Sequence, residues 1–436
     1  MRVMKFGQLP NGLSWLVDAP HIRGLGTSSV HLVLPVGAVR EREGDRGIIH
    51  FIEHLMFHME GAGNSRLRDA FNISGSINAY TNNDHTLYFI NVPNARLKEA
   101  VQLLIKIVFQ SHITQTDIES ERNVVLEEYK SGHNSGESVL EDVFSEVFKG
   151  HPLSNRLIGG ATYINRYSLA RIRSYVRDWY VPHLAKLVIC TEVSMPSVVS
   201  ILTECFGGGC GPLNIEKDIG VRVGVRSGPI PVFQVGAWVR EERGPRIKHY
   251  KGKQTVLCIS FPIAQPTNDL RRNQLYSLLA YILGNSEMSE LFIKVRLERN
   301  LVYSIKTAYN ECQGVGIMNT FCFVNPENIG KVLDQTIRVM RTKLDRARFK
   351  TYKKNYLVQL KTVLAADAGA WGAFITNMWF MSGIAPLRYK NFMALVRSIT
   401  FEEVEAARVE GLVFDSRMVI GIKGPHAVEK YSVQSE

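Results

Sequence analysis

Hydrophobic and polar residues follow the same series of patterns in the two halves of the chain. Each half contains an alternating strand pattern that ends in proline, then a strand with a proline turn and an amphipathic helix, and finally a helix, a turn and a strand. The matching segments are 28–35 with 256–262, 86–108 with 317–340, and 170–191 with 402–424. Three matches in the same order predict an internal duplication of roughly 200 residues.

The duplication predicts two domains with one architecture. Strands alternate with long helices in each half, which is typical of an α+β fold with a mainly antiparallel sheet and helices packed on one face. We place the first domain at residues 1–215 and the second at 231–436, joined by a weakly patterned linker at 216–230.

The composition is that of an ordinary globular protein. Of 436 residues, 45% are hydrophobic and 21% are charged, and no apolar run is long enough to span a membrane. Six cysteines occur without Cys-x-x-Cys pairs, which favours reduced core thiols over a disulfide framework. Because the N-terminal residues lack the apolar core of a signal peptide, we expect a cytoplasmic bacterial enzyme without membrane insertion.

The chain carries a formal net charge of +11. No zinc-finger, KH or RRM signature accompanies this charge, and the basic residues are spread along the sequence. The pattern favours a solvated basic surface, and we expect no nucleic-acid partner.

Residues 48–56 predict a helix that is apolar except at His50, Glu53 and His54. Histidines four residues apart share one helix face and can direct two imidazoles at one metal ion. Glu53 lies beside them, where it can take a proton from water that the metal activates. Burying these three groups is costly without a partner, so we predict a metal site. The alternative is a pair of hydrogen-bonded core histidines.

A second helix, predicted from Thr116 to Lys130, carries two carboxylates on a hydrophobic face. We expect it to begin with a capping box between Thr116 and Glu119. Glu121 and Glu128 are seven residues apart and fall together on the side predicted to be buried. This placement favours metal binding, and the alternative is a structural ion pair with an arginine.

The His50-x-x-Glu53-His54 motif and the later ERNVVLEE stretch resemble the pitrilysin / mitochondrial-processing-peptidase family of zinc metallopeptidases, in its half-length, two-domain branch. The resemblance implies one Zn²⁺ per chain, held by His50, His54 and Glu128, with Glu53 as the general base. Glu121 matches the family's other helix glutamate, and we expect it to orient a ligand. The implied fold is that of the LuxS/MPP-like metallohydrolases.

Residues 75–89 are similar to the family's Asn-Ala-x-Thr strand beside the active site. In the family this edge strand pairs with the backbone of the substrate. The resemblance therefore implies that Asn78, Ala79 and Tyr80 bind substrate.

Residues 296–304 resemble the family's substrate-positioning segment. The resemblance implies that Arg296 holds a substrate carbonyl and that Tyr303 stabilises the tetrahedral oxyanion. Asn300 stands where the family usually has glycine, and asparagine tolerates the left-handed backbone conformation.

The resemblance implies a zinc metalloendopeptidase that cleaves oligopeptides or leader and precursor peptides inside a closed dimeric chamber. The chain could form a homodimer or a heterodimer with a paralogous subunit. The alternative function is that of a non-catalytic structural or partner subunit of such a heterodimer. The intact set of ligands and base argues against this alternative.

Overall fold

The computed structural model describes most of the chain. The described residues are 4–19, 24–57, 69, 71–134, 138–207, 246–264, 269–312, 315–382 and 386–425. The predicted linker at 216–230 lies outside them.

The chain forms two compact units, and each combines segments from both halves of the sequence. Unit 1 comprises Met1–Tyr129, Asn155–Pro231 and Lys361–Tyr389. Unit 2 comprises Lys130–Ser154, Val232–Leu360 and Lys390–Glu436. A short segment of the first half therefore belongs to unit 2, and a short segment of the second half belongs to unit 1.

Unit 1 contains a six-stranded sheet. Its strands are β1 (Lys5–Gln8), β2 (Ser14–Asp18), β3 (Thr27–Leu34), β4 (Ser76–Thr81), β5 (Thr86–Pro93) and β6 (Lys186–Cys190). They lie in the order β1-β2-β6-β3-β5-β4, and β2 with β6 is the one parallel pair among these strands. Strand β4 is therefore at an edge of this sheet.

Unit 2 contains a five-stranded sheet. Its strands are β7 (Arg246–Lys251), β8 (Val256–Ala264), β9 (Val302–Cys312), β10 (Val315–Val324) and β11 (Val419–Gly424). They lie in the order β7-β11-β8-β10-β9, with β7 and β11 parallel and the other neighbours antiparallel. This order and its parallel pair match β2-β6-β3-β5-β4 of unit 1, which confirms the predicted duplication.

Helices follow the strands in the order that the hydrophobic pattern predicts. They are α1 (Ile48–Leu55), α2 (Leu97–Phe109), α3 (Gln115–Asn134), α4 (Ser138–Val147), α5 (Ala161–Ile164), α6 (Leu169–Trp179), α7 (Met195–Gly207), α8 (Leu270–Gly284), α9 (Ile329–Arg341), α10 (Arg346–Leu364), α11 (Ala368–Ser382), α12 (Tyr389–Ser398) and α13 (Phe401–Gly411). The predicted segment 86–108 contains β5 and most of α2, and its counterpart 317–340 contains most of β10 and α9. The α+β class and the two-domain architecture are thus confirmed.

Helices cover both faces of the unit 1 sheet. On one face, Val30 of β3 packs into a core with Phe51 of α1 and Leu104 of α2. On the other face, His31 of β3 lies against Gly372 of α11. The prediction of helices on one face was therefore incomplete. The second covering helix comes from the far end of the sequence, and local periodicity does not encode such a long-range contact.

Candidate metal centre

Helix α1 presents its polar residues from a buried position. Between Ile48 and Leu55, every side chain except that of His54 is buried. The helix follows Gly47, whose φ of 87° is in the left-handed region that favours glycine. A Cβ at this position would also lie 2.2 Å from the carbonyl oxygen of Ile158, so only glycine fits where the helix begins.

The carboxyl group of Glu41 binds the first turn of α1. It accepts hydrogen bonds from the N–H groups of Gly47 (2.8 Å) and Ile49 (3.1 Å). These are among the backbone donors that a helix N-terminus leaves without an intrahelical partner. Sequence reasoning missed Glu41 because it lies well before the helix, outside the usual capping position.

Three side chains predicted to bind metal converge above α1. One donor atom each from His50, His54 and Glu128 lies within 4.8 Å of the other two. Glu128 Oε2 is 3.2 Å from His54 Nε2, and Glu128 Oε1 is 3.7 Å from His50 Nε2. Two imidazole nitrogens and a carboxylate oxygen are a typical donor set for catalytic zinc, which keeps another coordination position open.

Glu121 contacts the other ring nitrogen of His54. Its Oε1 lies 2.7 Å from His54 Nδ1. This contact favours a hydrogen on Nδ1, which leaves the lone pair of Nε2 facing His50 and Glu128. The contact is what a ligand-orienting role for Glu121 requires.

The charges around the cluster suit a bound cation. Burial lowers the pKa of His54, but the hydrogen bonds to Glu121 and Glu128 outweigh it and raise the pKa to about 10. Burial, together with the nearby His54, lowers the pKa of His50 to about 4, so its imidazole is neutral at pH 7. The two carboxylates thus favour a positive charge between them, and a metal cation meets the same need as the proton on His54. The residues therefore fit a zinc ion.

Glu53 is held by the last residue of β4. Thr81 Oγ1 donates a hydrogen bond to Glu53 Oε2 at 2.6 Å. Burial raises the pKa of Glu53, although this hydrogen bond opposes the shift. A carboxylate with a raised pKa is a stronger base. Sequence reasoning missed Thr81, although strand alternation places its side chain on the same face as that of Ala79.

The predicted substrate-binding strand is β4, at the edge of the sheet. Asn78 and Ala79 lie on this edge within the strand that Thr81 ends. The Tyr80 side chain points to the opposite face from that of Thr81, and its ring meets the His85 ring edge to face, with ring centres 5.9 Å apart. The side chain of Ala79 therefore points to the sheet face on which Glu53 lies, and the side chain of Tyr80 points to the other face.

Arg296 and Tyr303 lie together in unit 2. Arg296 lies in a π-helical turn at residues 292–297, and its guanidinium lies 5.7 Å from the centre of the Tyr303 ring. The Tyr303 side chain is 83% exposed. Asn300 accepts a hydrogen bond from Arg296 and has a φ of 50°, which confirms the expected left-handed conformation.

The start of helix α3 differs from the prediction. Asp117 N–H donates to Thr114 Oγ1 (3.2 Å), and Thr114 N–H donates to Asp117 Oδ2 (2.8 Å). The capping box predicted between Thr116 and Glu119 was therefore wrong. The Thr-x-x-acid spacing occurs at both pairs, and the spacing alone does not select between them.

The Glu128 face of α3 is more open than predicted. The side chain of Glu128 is 43% exposed and Val124 is 52% exposed, whereas Glu121 is buried. The prediction that Glu121 and Glu128 are buried together was thus wrong for Glu128. With respect to the described part of the chain, Glu128 is thus accessible from solvent.

Two sequence profiles of one family match most of the chain. Residues 21–161 match Insulinase (Peptidase family M16), and residues 166–356 match the Peptidase M16 inactive domain. An uncharacterized zinc protease of Mycobacterium tuberculosis is 26% identical over 343 residues, which cover 77% of this chain and 73% of that protein. The mitochondrial-processing peptidase subunit beta of Caenorhabditis elegans is 28% identical over 206 residues, covering 46% of this chain and 43% of that protein.

Solved structures share the fold. A protease from Helicobacter pylori has a TM-score of 0.83 at 18% identity, covering 97% of this chain and 99% of that chain. The peptidase M16 inactive domain from Pseudomonas fluorescens has a TM-score of 0.77 at 16% identity, covering 98% of this chain and 100% of that chain.

Within the described ranges, no helix has both the length and the apolar character needed to cross a bilayer.

Proposed function

Because this chain belongs to peptidase family M16, we propose that it is a zinc-dependent endopeptidase that cleaves oligopeptides or leader and precursor peptides. The observation that carries the proposal is the convergence of donor atoms from His50, His54 and Glu128 within 4.8 Å of one another. Glu53 lies on the same helix as the two histidines, so a base accompanies the predicted metal ligands.

The residues of the cluster divide the chemistry between them. A zinc ion held by His50, His54 and Glu128 would supply Lewis-acid chemistry, polarising a peptide carbonyl and acidifying water. Glu53 accepts a proton from the attacking water and returns it to the nitrogen of the leaving amine. Thr81 keeps the Glu53 carboxylate in place through the hydrogen bond from its hydroxyl.

The substrate is an extended peptide that adds to the free edge of β4. Main-chain hydrogen bonds to a sheet edge bind peptides with little dependence on sequence, which suits oligopeptides of varied composition. Asn78, Ala79 and Tyr80 form the central part of this edge. By resemblance, Arg296 holds a substrate carbonyl and Tyr303 stabilises the oxyanion, either in the same chain or from a partner.

We further propose a closed dimeric chamber in the cytoplasm, built from two copies of the chain or from this chain and a paralogous subunit. Such a chamber admits unfolded peptides and excludes folded proteins. Light scattering of the purified chain, alone and with a paralogous subunit, measures which assembly forms.

Hydrolysis of short, internally quenched peptides tests the proposed activity. The wild type should cleave members of the library, and Glu53→Gln should lose cleavage while keeping its zinc, because Gln cannot accept the proton. Glu127→Gln, next to a predicted ligand but outside the donor cluster, is the matched control and should cleave like the wild type.

Full cleavage by Glu53→Gln would refute the assigned base. No cleavage by a wild type that contains zinc, alone or with its paralogous subunit, would instead favour the non-catalytic partner role.

A further inference from the structure

The central backbone N–H group on the free edge of β4 already has an acceptor. The Ala79 N–H donates to a side chain instead of to β5. In an antiparallel pair, successive residues point their N–H groups alternately toward the partner strand and away from it. The Ala79 N–H donates to a side chain, and among the described strands β4 pairs with β5 alone, so this N–H faces the open edge.

The acceptor for Ala79 is the preceding side chain. Asn78 Oδ1 accepts from the Ala79 N–H at 2.8 Å, in an exposed position. A peptide carbonyl that pairs with the centre of this edge must therefore replace Asn78 Oδ1 at the Ala79 N–H.

We propose that Asn78 is a competing acceptor that controls access of extended peptides to β4. This inference rests on the proposed function and assigns one of its predicted substrate-binding residues a specificity role. In the peptide-free protein Asn78 satisfies the central N–H of the edge, and on binding it gives this donor to a carbonyl of the substrate. Peptides that cannot present a carbonyl opposite Ala79 gain nothing by displacing it.

The arrangement also protects the edge itself. An unpaired strand edge is a template for pairing with strands of other chains, and proteins commonly block such edges. A side-chain acceptor blocks one donor reversibly, whereas a proline or a charge at the same place would also exclude the substrate. One exposed hydrogen bond changes a binding equilibrium by about two- to tenfold, enough to discriminate between peptides without preventing binding.

Amide hydrogen exchange of the full chain tests the Asn78 contact without any peptide. The Ala79 amide should exchange slowly in the wild type and in Asn78→Asp, which keeps the acceptor, and about two- to tenfold faster in Asn78→Ala. Ser76→Ala, an exposed change two residues away on the same strand, should leave the Ala79 rate unchanged. Equal Ala79 exchange rates in Asn78→Ala and the wild type would overturn the proposal.

Peptide affinity tests the competition. The probe is a fluorescein-labelled form of the library peptide that the wild type cleaves fastest, bound to Glu53→Gln protein with and without Asn78→Ala. Asn78→Ala should lower the Kd about two- to tenfold, since the Ala79 N–H no longer has a competing acceptor. An equal or higher Kd would overturn competition and would instead indicate that Asn78 contacts the peptide directly. If no library peptide is cleaved, the proposed function fails, and the exchange result alone decides whether Asn78 caps Ala79.

Discussion

Replacing Trp371 tests whether helix α11, which comes from the second half of the sequence, belongs to the core of unit 1. The Trp371 side chain is 1% exposed. The indole stacks on Phe374, with ring centres 5.5 Å apart, and meets the edge of Tyr389 at 5.7 Å. Its Nε1–H donates to Asp18 Oδ2 of strand β2 at 2.9 Å. Both the packing and this hydrogen bond should therefore contribute to the stability of the unit.

The cost of removing Trp371 follows from these contacts. Trp371→Ala should lower the free energy of unfolding by about 3–5 kcal/mol for the lost packing and the cavity. Loss of the donor to the half-buried Asp18 adds about 1–3 kcal/mol. Trp371→Phe keeps most of the ring and should lose mainly the second contribution.

Urea unfolding of the full chain measures both costs. Val363→Ala removes a side chain that is 54% exposed in the preceding helix, and it should change the free energy of unfolding by less than about 0.5 kcal/mol. A loss below about 1 kcal/mol for Trp371→Ala would refute the placement of α11 in the core. Equal stability of Trp371→Phe and the wild type would refute only the contribution of the Asp18 hydrogen bond.

Three further changes test other contacts. Complete burial lowers the pKa of His31 to about 3 from an ordinary value of 6.5. The unfolded chain then binds the extra proton, so stability is complete above pH 6.5 and falls toward pH 3. Urea unfolding at pH 8 and pH 5 should show a loss smaller by about 2 kcal/mol in His31→Gln than in the wild type, and equal losses would contradict the assignment. Thr81→Val removes the hydroxyl donor to Glu53 and should lower kcat about tenfold or more with zinc content unchanged, while Thr81→Ser restores it; an unchanged kcat for the valine variant would count against this positioning. Residues 1–230 expressed alone lack α11, which covers β3 in the full chain. This fragment should be insoluble unless residues 231–436 are co-expressed. A soluble fragment that unfolds cooperatively would contradict the assignment of α11 to unit 1.

Local patterns predict the matched elements of the two halves well, because the strand and helix patterns of these segments recur in the same order. The duplication could be predicted for the same reason, since both halves bury equivalent faces. The covering of β3 by α11 could not be predicted, because the sequence of residues 368–382 shows an apolar helix but not which sheet it covers. The same holds for α4, which comes from the first half and packs against β11 of unit 2.

Helix geometry predicted part of the donor cluster, and the family resemblance supplied Glu128 as the third predicted ligand. His50 and His54 share a face of one helix, and the wheel of the second helix places Glu121 beside Glu128. The supporting contacts were not predictable. Thr81 hydrogen-bonds to Glu53 because strand β4 packs beside α1, and Glu41 accepts from the Gly47 N–H because the segment before α1 folds back onto its first turn. Neither contact has a signal in the local sequence pattern.

Zinc analysis of the purified chain tests the central claim most directly. We predict about one zinc per chain for the wild type and for Glu127→Ala, and much less for Glu128→Ala, which removes the predicted third ligand. Zinc content in Glu128→Ala equal to that of the wild type would contradict the assignment of Glu128. A wild-type chain that takes up no zinc would contradict the metal centre as a whole.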